Sequence, residues 1–184
     1  MKILVAYATA HGSTAEVAQF IGRVLSTYNA EVTVANVADI QNVKGYDAYV
    51  LGSAIHAGLW LQEMCIFTDR FADALAQKPS YFWVSCIRAL EDNGRKHALK
   101  YYFDNKLLES FDLRKQGVFA GKLNVNEITR HEQWFLVANY DGKLTTGNIN
   151  QDYRDWKAIA AWTNSVANDL ELVPVFDAVK SATA

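Results

Sequence analysis

Short apolar runs alternate with segments of helical periodicity along the chain. Runs of this kind, bounded by turn residues, predict strands that are buried on both faces of a sheet. We expect strands at 2–8, 31–37, 48–53, 80–85 and 117–121. Each is short, which separates them from the longer helical segments between them.

The segments between these runs carry apolar residues at helical spacing. The clearest predicts one amphipathic helix face from Val17, Phe20, Ile21, Val24, Leu25 and Tyr28. Further helices are predicted at 64–75, 98–108 and 153–170, and a weaker one at 39–44. Strands alternating with helices call for right-handed crossovers, so we predict an α/β sandwich with a parallel sheet. Ligands of such sheets bind outside the carboxyl ends of the strands, which selects the loops after the first, third and fourth strands.

The composition fits one globular domain, 1–184. Of the 184 residues 51% are hydrophobic, which excludes intrinsic disorder. The net charge of −2 supplies no basic surface, so no nucleic-acid partner is predicted. No apolar run is long enough to span a membrane, and the N-terminal run is too short for a signal peptide. Cys65 and Cys86 are isolated, which favours a reducing, cytoplasmic location.

The spacing of the four histidines predicts no metal site. His11, His56, His97 and His131 show neither HxxxH nor HExxH spacing. No carboxylate cluster accompanies them in the sequence. A metal centre is therefore not expected.

The loop after the first strand has the composition of an anion site. It leads directly into the strongest helix and consists of Thr9, Ala10, His11, Gly12, Ser13 and Thr14. Helix N-terminal N–H groups bind phosphate without Lys or Arg, and hydroxyls add donors. The alternative without a ligand is a capping box of Ser13 and Glu16. It leaves Thr9, Gly12 and Thr14 unexplained, and the absence of GxG and GxxxxGK argues against dinucleotide and P-loop motifs.

The string from Tyr7 to Thr14 resembles the phosphate-loop signature of the flavodoxins. That signature is an aromatic residue followed by Ser or Thr, two spacers, a small residue, one spacer and Thr. The resemblance implies a flavodoxin-like three-layer sandwich with a five-stranded parallel sheet of order 2-1-3-4-5. It also implies FMN as the cofactor, its phosphate held by the loop and the hydroxyls of Thr9, Ser13 and Thr14.

The loops after the third and fourth strands are the candidates for the flavin ring. The first contributes Ser53, Ala54, Ile55, His56, Ala57, Gly58 and Trp60. Trp60 offers a flat apolar surface to the ring, and a core position is the equal alternative. By resemblance, the other side of the ring is bordered by Ser85, Cys86, Ile87 and Arg88. Arg88 is either a positive charge for a reduced flavin or a solvated loop residue, and Cys86 is a small buried residue.

Later motifs resemble one flavodoxin branch, the menaquinone-dependent protoporphyrinogen dehydrogenases. The segments 52–58, 118–123 and 152–159 carry this resemblance, although His56 replaces the arginine usual in that branch. An insertion is predicted at 122–150, between the fifth strand and the last helix, and connections of such length are usually functional or mobile. Its charges balance to zero, which favours packing on the protein's own surface over membrane contact.

The resemblance implies an FMN oxidoreductase that passes electrons from a reduced substrate, a porphyrinogen in that branch, to a quinone or other redox partner. The alternatives are a flavodoxin-like electron carrier and an FMN-binding module without turnover. Carrier flavodoxins are, by the same resemblance, strongly acidic, so a net charge of −2 argues against the carrier. The neutral insertion and His56 argue, less strongly, against a porphyrin. No general acid or base is nominated, because transfer at a flavin need not use one.

Overall fold

Strands and helices alternate over the residues that the structure describes. The structure is a computed structural model and describes residues 1–103, 106–124, 126–139 and 151–175. The strands are β1 (Lys2–Ala8), β2 (Glu31–Asn36), β3 (Ala48–His56), β4 (Leu59–Trp60), β5 (Pro79–Ser85), β6 (Asp112–Phe119), β7 (Lys122–Leu123) and β8 (Gln151–Asp152). The α-helices are α1 (Ser13–Leu25), α2 (Gln62–Arg70), α3 (Ala72–Leu75), α4 (Gly94–Tyr101), α5 (Lys106–Glu109), α6 (Arg130–Asn139) and α7 (Trp156–Asp169).

A parallel sheet forms the middle layer of the fold. Its strands lie in the order β2-β1-β3-β5-β6. Since β4 is a short addition that pairs antiparallel with the end of β3, this order equals the predicted 2-1-3-4-5. The predicted flavodoxin-like fold class is confirmed. β7 and β8 pair with each other, apart from the main sheet.

Apolar side chains cover both faces of this sheet. On one face α1 and α7 pack through fully buried residues such as Ile21 and Ile159. On the other face α2, α3 and α4 pack through residues such as Met64 and Leu75. Burial on both faces explains why β1, β3 and β5 read as continuous apolar runs, whereas the edge strand β2 alternates.

The fifth parallel strand, β6, begins at Asp112, whereas the apolar run predicts a start at residue 117. It lies at the edge of the sheet, and its first half is charged. Arg114 pairs with Asp112 at 2.9 Å, and Lys115 lies 3.7 Å from Asp169. Charge on an edge strand discourages pairing with another chain, and it also hides the strand from an apolar pattern.

The predicted helix at 39–44 is wrong. The chain there forms only a 3₁₀ turn at Val37–Asp39, in which the Asn36 side chain accepts the N–H of Ala38 at 3.0 Å. Ile40 and Val43 are nevertheless buried in the core. Their spacing therefore reflects the packing of a non-helical segment against the sheet.

Two other predicted helices are interrupted. The helix predicted at 64–75 is split at Phe71 into α2 and α3. The helix predicted at 98–108 begins earlier, at Gly94, and continues as the separate α5 after residues 104–105, which lie outside the described residues. The last predicted helix corresponds to α7, which starts after the N-cap Asp155.

The predicted insertion at 122–150 contains β7 and α6. Its residues 125 and 140–150 lie outside the described part of the chain. Trp134, in the apolar segment expected to pack on the protein surface, is 66% exposed, so packing is not found at that position. One domain at 1–184 with this insertion stays a prediction. Among the described residues, no helix has the length and apolar character that crossing a membrane requires.

Trp83 fixes the register of three neighbouring strands. Its side chain is 1% exposed, and it lies in register with Gly52 of β3 and Gly117 of β6. A Cβ on Gly52 would lie 2.0 Å from the indole Cε2, and a Cβ on Gly117 would lie 2.9 Å from Trp83 Cβ. Glycine is therefore required beside the indole on β3 and beside the Cβ of Trp83 on β6, and a one-residue slip would place a side chain at these positions.

We expect Gly52→Ala to destabilise the protein by about 1–3 kcal/mol, the usual cost of overpacking a close-packed core. Urea unfolding followed by circular dichroism measures the change. The control is the same substitution in a Trp83→Leu background, where the indole is gone and the added methyl group has room. An equal cost in both backgrounds would show that the indole is not the constraint.

Candidate functional site

A cavity of about 410 Å³ opens at the carboxyl ends of β1, β3 and β5. The three loops selected from the strand alternation all contribute to its wall. The predicted site residues that line it are Ala10, His11, Ser13, Thr14, Ala54, Ile55, His56, Ala57, Gly58, Ser85, Cys86, Ile87 and Arg88. The topology thus brings together segments that are far apart in the sequence.

The N-terminus of α1 opens into this cavity without a side-chain cap. Gly12 is the N-cap, with φ of 85°, and Thr9 Oγ1 accepts its N–H at 3.0 Å. The first-turn N–H groups of Ser13 and Thr14 have no partner within the helix. The capping-box alternative is therefore wrong, because Ser13 is the first helical residue and makes no cap. Backbone donors and the positive end of a helix dipole face the cavity.

The loop after β3 forms a tight hairpin into β4. Its turn residues, Ala57 and Gly58, both have positive φ, as a two-residue hairpin turn requires. The Ser53 hydroxyl is used within the loop: it donates to the Ala54 carbonyl at 2.9 Å and accepts the Leu61 N–H at 3.1 Å. Ser53 therefore supports the hairpin and does not line the cavity.

Trp60 takes the core position that the sequence left open as an alternative. Its ring stacks on Phe82, with centroids 5.5 Å apart, and meets Phe103 edge-on at 6.2 Å. It is not among the residues that line the cavity, and neither are Thr9 and Gly12. A flat aromatic surface from Trp60 is thus not part of this site.

The loop after β5 supplies an unpartnered polar atom and a buried thiol. Ser85 Oγ is buried and has no hydrogen-bond partner within the described part of the chain. Burial raises the pKa of the Cys86 thiol to about 11. Arg88 donates to Glu91 at 2.8 Å, so its charge is shared with a neighbouring carboxylate.

Residues that the sequence did not select complete the wall. They are Glu16, Leu90, Tyr102, Gly121, Lys122, Leu123, Asn124, Glu127, Ile128, His131, Glu132 and Tyr153. Many belong to the predicted insertion, whose length is typical of functional or mobile connections. No spacing rule identifies which of its side chains turn inward. The available signals were the segments 118–123 and 152–159 of the resemblance, which contain Gly121, Lys122, Leu123 and Tyr153.

Glu132 connects the insertion to two of the loops. Its Oε1 lies 2.8 Å from His11 Nε2 and 2.7 Å from His56 Nε2, and its Oε2 accepts the Thr129 N–H at 2.5 Å. Burial alone would raise the pKa of Glu132, but hydrogen bonds from Thr129, His11 and His56 outweigh it and lower the pKa to about 2. No spacing pattern in the sequence predicts that these residues meet.

The segment after the insertion is fastened to α1 by a buried guanidinium. The Arg154 side chain is 4% exposed and donates to Glu16 and to Asp152, both at 2.7 Å. The hydrogen bond from Arg154 lowers the pKa of Asp152, and the guanidinium lies 4.5 Å from the Trp156 ring centre. This arrangement holds Tyr153 at the cavity wall.

The fold and this cavity define a class of protein: a doubly wound α/β sandwich with its site at the switch point of a parallel sheet. The flavodoxin-domain family model matches residues 4–136, and the chain belongs to the flavodoxin family. The predicted resemblance is confirmed, and with it FMN as the cofactor that membership implies. The chain is accordingly an FMN flavoprotein with an oxidoreductase or electron-transfer role.

Individual relatives agree with this assignment. The chain is 25% identical to protoporphyrinogen IX dehydrogenase (quinone) of Escherichia coli strain K12 over 173 residues, covering 91% of this chain and 96% of the relative. A flavodoxin from the domain Archaea has 16% identity and a TM-score of 0.57, covering 93% of this chain and 99% of that one. Oxidised Flavodoxin 2 from Bacillus cereus has 18% identity and a TM-score of 0.59, with coverage of 92% and 99%. At these identities the solved structures support the fold alone.

The residues present at the cavity fit FMN on two observations. The uncapped first turn of α1 offers N–H donors to a phosphate, next to the hydroxyls of Ser13 and Thr14. Across the cavity, the unpartnered Ser85 hydroxyl offers a hydrogen bond to a polar ring edge. Buried polar groups are normally satisfied, so an unpartnered hydroxyl on a cavity wall is consistent with a ligand there.

The reactivity of Cys86 tests whether the cavity wall excludes small reagents from its buried thiol. Thiolates are the reactive form of cysteine, and burial raises the pKa of both thiols, that of Cys86 to about 11. The difference between them is access, because Cys86 is buried and Cys65 is exposed on α2. We expect iodoacetamide at pH 8 to alkylate Cys65 in the folded protein and Cys86 only after unfolding, as located by peptide mass spectrometry. Folded Cys65→Ser should stay unlabelled. Labelling of Cys86 at the rate of Cys65 would contradict the structure of this wall.

Proposed function

We propose that FMN binds in this cavity through its phosphate at the N-terminus of α1. We further propose that the chain oxidises a porphyrinogen-type substrate and passes the electrons to a quinone. The observation that carries the binding mode is the uncapped α1 N-terminus beside the hydroxyls of Ser13 and Thr14. The name of the Escherichia coli relative supports the substrate and the acceptor.

The phosphate end of the site is built from neutral donors. The first-turn N–H groups of Ser13 and Thr14 have no partner within the helix, and the same two residues, which also carry hydroxyls, line the cavity. The helix dipole adds positive potential there. Among the described residues, chain neighbours aside, nothing lies within 4 Å of the position that a Cβ on Gly12 would occupy, so the backbone is open to close approach. Glu16 in the first turn would repel an anion, but its carboxylate is paired with Arg154 at 2.7 Å. A dianionic phosphate therefore meets little opposing charge.

The ring end of the site combines apolar walls with a few polar groups. Ile55 and Ile87 line the cavity, Ser85 offers its hydroxyl, and the hairpin turn offers backbone groups. When bound, FMN supplies the electron and hydride transfer chemistry. The role of these residues is to orient the ring and to exclude water from it. The protein's free cysteines fit a reducing compartment, and we place it in the cytoplasm.

A charge placed at Gly12 tests the phosphate site. Asp and Asn have the same shape and both tolerate positive φ, so only charge distinguishes Gly12→Asp from Gly12→Asn. We expect the Asp variant to bind FMN about 10-fold or more weakly than the Asn variant, because like charges repel at the phosphate. Flavin fluorescence titration measures both.

Riboflavin, which lacks the phosphate, is the matched ligand control. It should bind the Asp and Asn variants of Gly12 equally. A similar loss for both flavins, or no difference between the variants with FMN, would rule out the phosphate assignment.

The substrate proposal is tested with the FMN-loaded protein in the absence of oxygen. We expect porphyrin formation from protoporphyrinogen with a menaquinone analogue as acceptor, followed by porphyrin fluorescence, well above an FMN-only control. Ser85→Ala keeps the fold but removes the hydroxyl at the ring end, so the rate should fall. Flavin uptake without any porphyrin formation would instead support an electron carrier or a non-catalytic FMN module.

A further inference from the structure

We propose that His11, His56 and Glu132 form a binding site for a divalent transition-metal ion of the zinc type. They come from three separate segments: the loop after β1, the end of β3 and the first turn of α6. One ligand atom from each lies within 4.8 Å of the other two. The sequence predicts no such site, because the ligands are separated by 45 and 76 positions (56 − 11 and 132 − 56) and show no metal-site spacing.

The distances are close to those of a metal site. Both imidazole Nε2 atoms converge on the same oxygen, Glu132 Oε1, at 2.8 Å and 2.7 Å. With zinc bonds of about 2.0–2.2 Å and tetrahedral angles, neighbouring ligand atoms lie about 3.3 Å apart. The two imidazole–carboxylate distances need to widen by about 0.6 Å to admit an ion. The two Nε2 atoms, which lie within 4.8 Å of each other, need to reach a similar separation.

The donor set selects the class of metal. Imidazole nitrogen suits zinc, nickel, copper and iron, whereas magnesium and calcium prefer oxygen ligands alone. Two imidazoles and one carboxylate leave at least one coordination position for water or for an anionic oxygen of a bound molecule. The site therefore resembles open metal sites more than closed structural ones.

Outer contacts already hold the carboxylate in place. Thr129 donates its N–H to Glu132 Oε2 at 2.5 Å, and Thr129 Oγ1 accepts the Glu132 N–H at 3.2 Å. This leaves Oε1 directed at the two imidazoles. His56 is positioned by the hairpin, where it pairs with Leu59 across the turn. Such outer contacts orient ligands before a metal arrives.

The cluster is accessible from solvent. The side chains of His11 and His56 are 35% and 49% exposed, and that of Glu132 is 13% exposed. An ion can therefore enter without unfolding, and it would lie on the wall of the cavity that all three residues line. Bound there, it would fasten α6 to the loops after β1 and β3.

Calorimetric titration of the full chain with Zn²⁺ tests the site. We expect one ion to bind per chain with micromolar or stronger affinity, and no heat of binding with Mg²⁺. His11→Gln, His56→Gln and Glu132→Gln should each weaken Zn²⁺ binding by about 100-fold or more, since even outer-contact losses cost 10–100-fold. Glutamine keeps an N–H that can donate to Glu132, so the two histidine variants separate a metal site from a hydrogen-bonded clasp.

The matched controls are Glu127→Gln and His97→Gln. Glu127 lies in the same segment and accepts a hydrogen bond from Asn124, and His97 packs on Tyr101 of α4. Both variants should bind Zn²⁺ like the unaltered chain. Absence of Zn²⁺ binding, or binding that survives Glu132→Gln in a folded variant, would overturn the proposal. Circular dichroism establishes that each variant is folded.

The metal proposal can fail or hold independently of the FMN proposal. Flavin content is read from visible absorbance, and metal binding is read from calorimetry with the metal alone. A chain that binds Zn²⁺ through these ligands but takes up no FMN would overturn only the flavin proposal. A chain that takes up FMN but no Zn²⁺ would overturn only the metal site.

Discussion

The packing of Trp83 against glycine on both neighbouring strands is the constraint on which the site depends. It sets the alignment of β3, β5 and β6 at this level of the sheet, because a side chain at Gly52 would overlap the indole and one at Gly117 would crowd the Cβ of Trp83. The same register pairs Ala54 with Ser85 at the carboxyl ends of the strands. Both residues line the cavity. A large core residue thus determines which loop residues face one another at the carboxyl ends of the strands.

Two different devices attach the insertion to this framework. Just after its end, the buried guanidinium of Arg154 joins the exposed carboxylates of Glu16 of α1 and Asp152. At α6, Glu132 joins His11 and His56, which belong to two of the three loops. The first device is a permanently charged guanidinium with fixed geometry. The second is a pair of short contacts from two imidazoles to one carboxylate oxygen, and it joins two loops to α6.

Much of the fold follows from the sequence because burial on both sides of a parallel sheet leaves a strong apolar signal. β1, β3, β5, α1 and α7 all carried that signal, whereas the strand order came from the flavodoxin resemblance. β6 did not, since its edge position tolerates Asp112, Arg114 and Lys115. The helix prediction at 39–44 was wrong for the opposite reason, because Ile40 and Val43 are buried without being helical.

The part of the candidate site that is contiguous in the sequence was predictable. The part that the fold assembles from distant segments was not. The loop at Thr9–Thr14 is contiguous, and its hydroxyls and glycine indicate an anion directly. The meeting of His11, His56 and Glu132 depends on where an insertion helix comes to lie, which no local pattern encodes. Trp60 shows a second limit of sequence-based prediction, because an aromatic ring beside a loop can turn either to the cavity or to the core. In this protein it stacks on Phe82 in the core.

The charges around the cavity bear on the choice between an electron carrier and an enzyme. A carrier that docks with protein partners gains from unpaired charge of one sign around its cofactor, because such charge steers encounters. Here Glu16 is paired with Arg154, Glu91 with Arg88, and Glu132 with two histidines. Together with a net charge of −2, the ion pairs of Glu16 and Glu91 reduce the unpaired negative charge at the cavity mouth. We infer that recognition depends more on the shape and short-range contacts of the cavity, which favours the proposed small-molecule substrate over a docking protein.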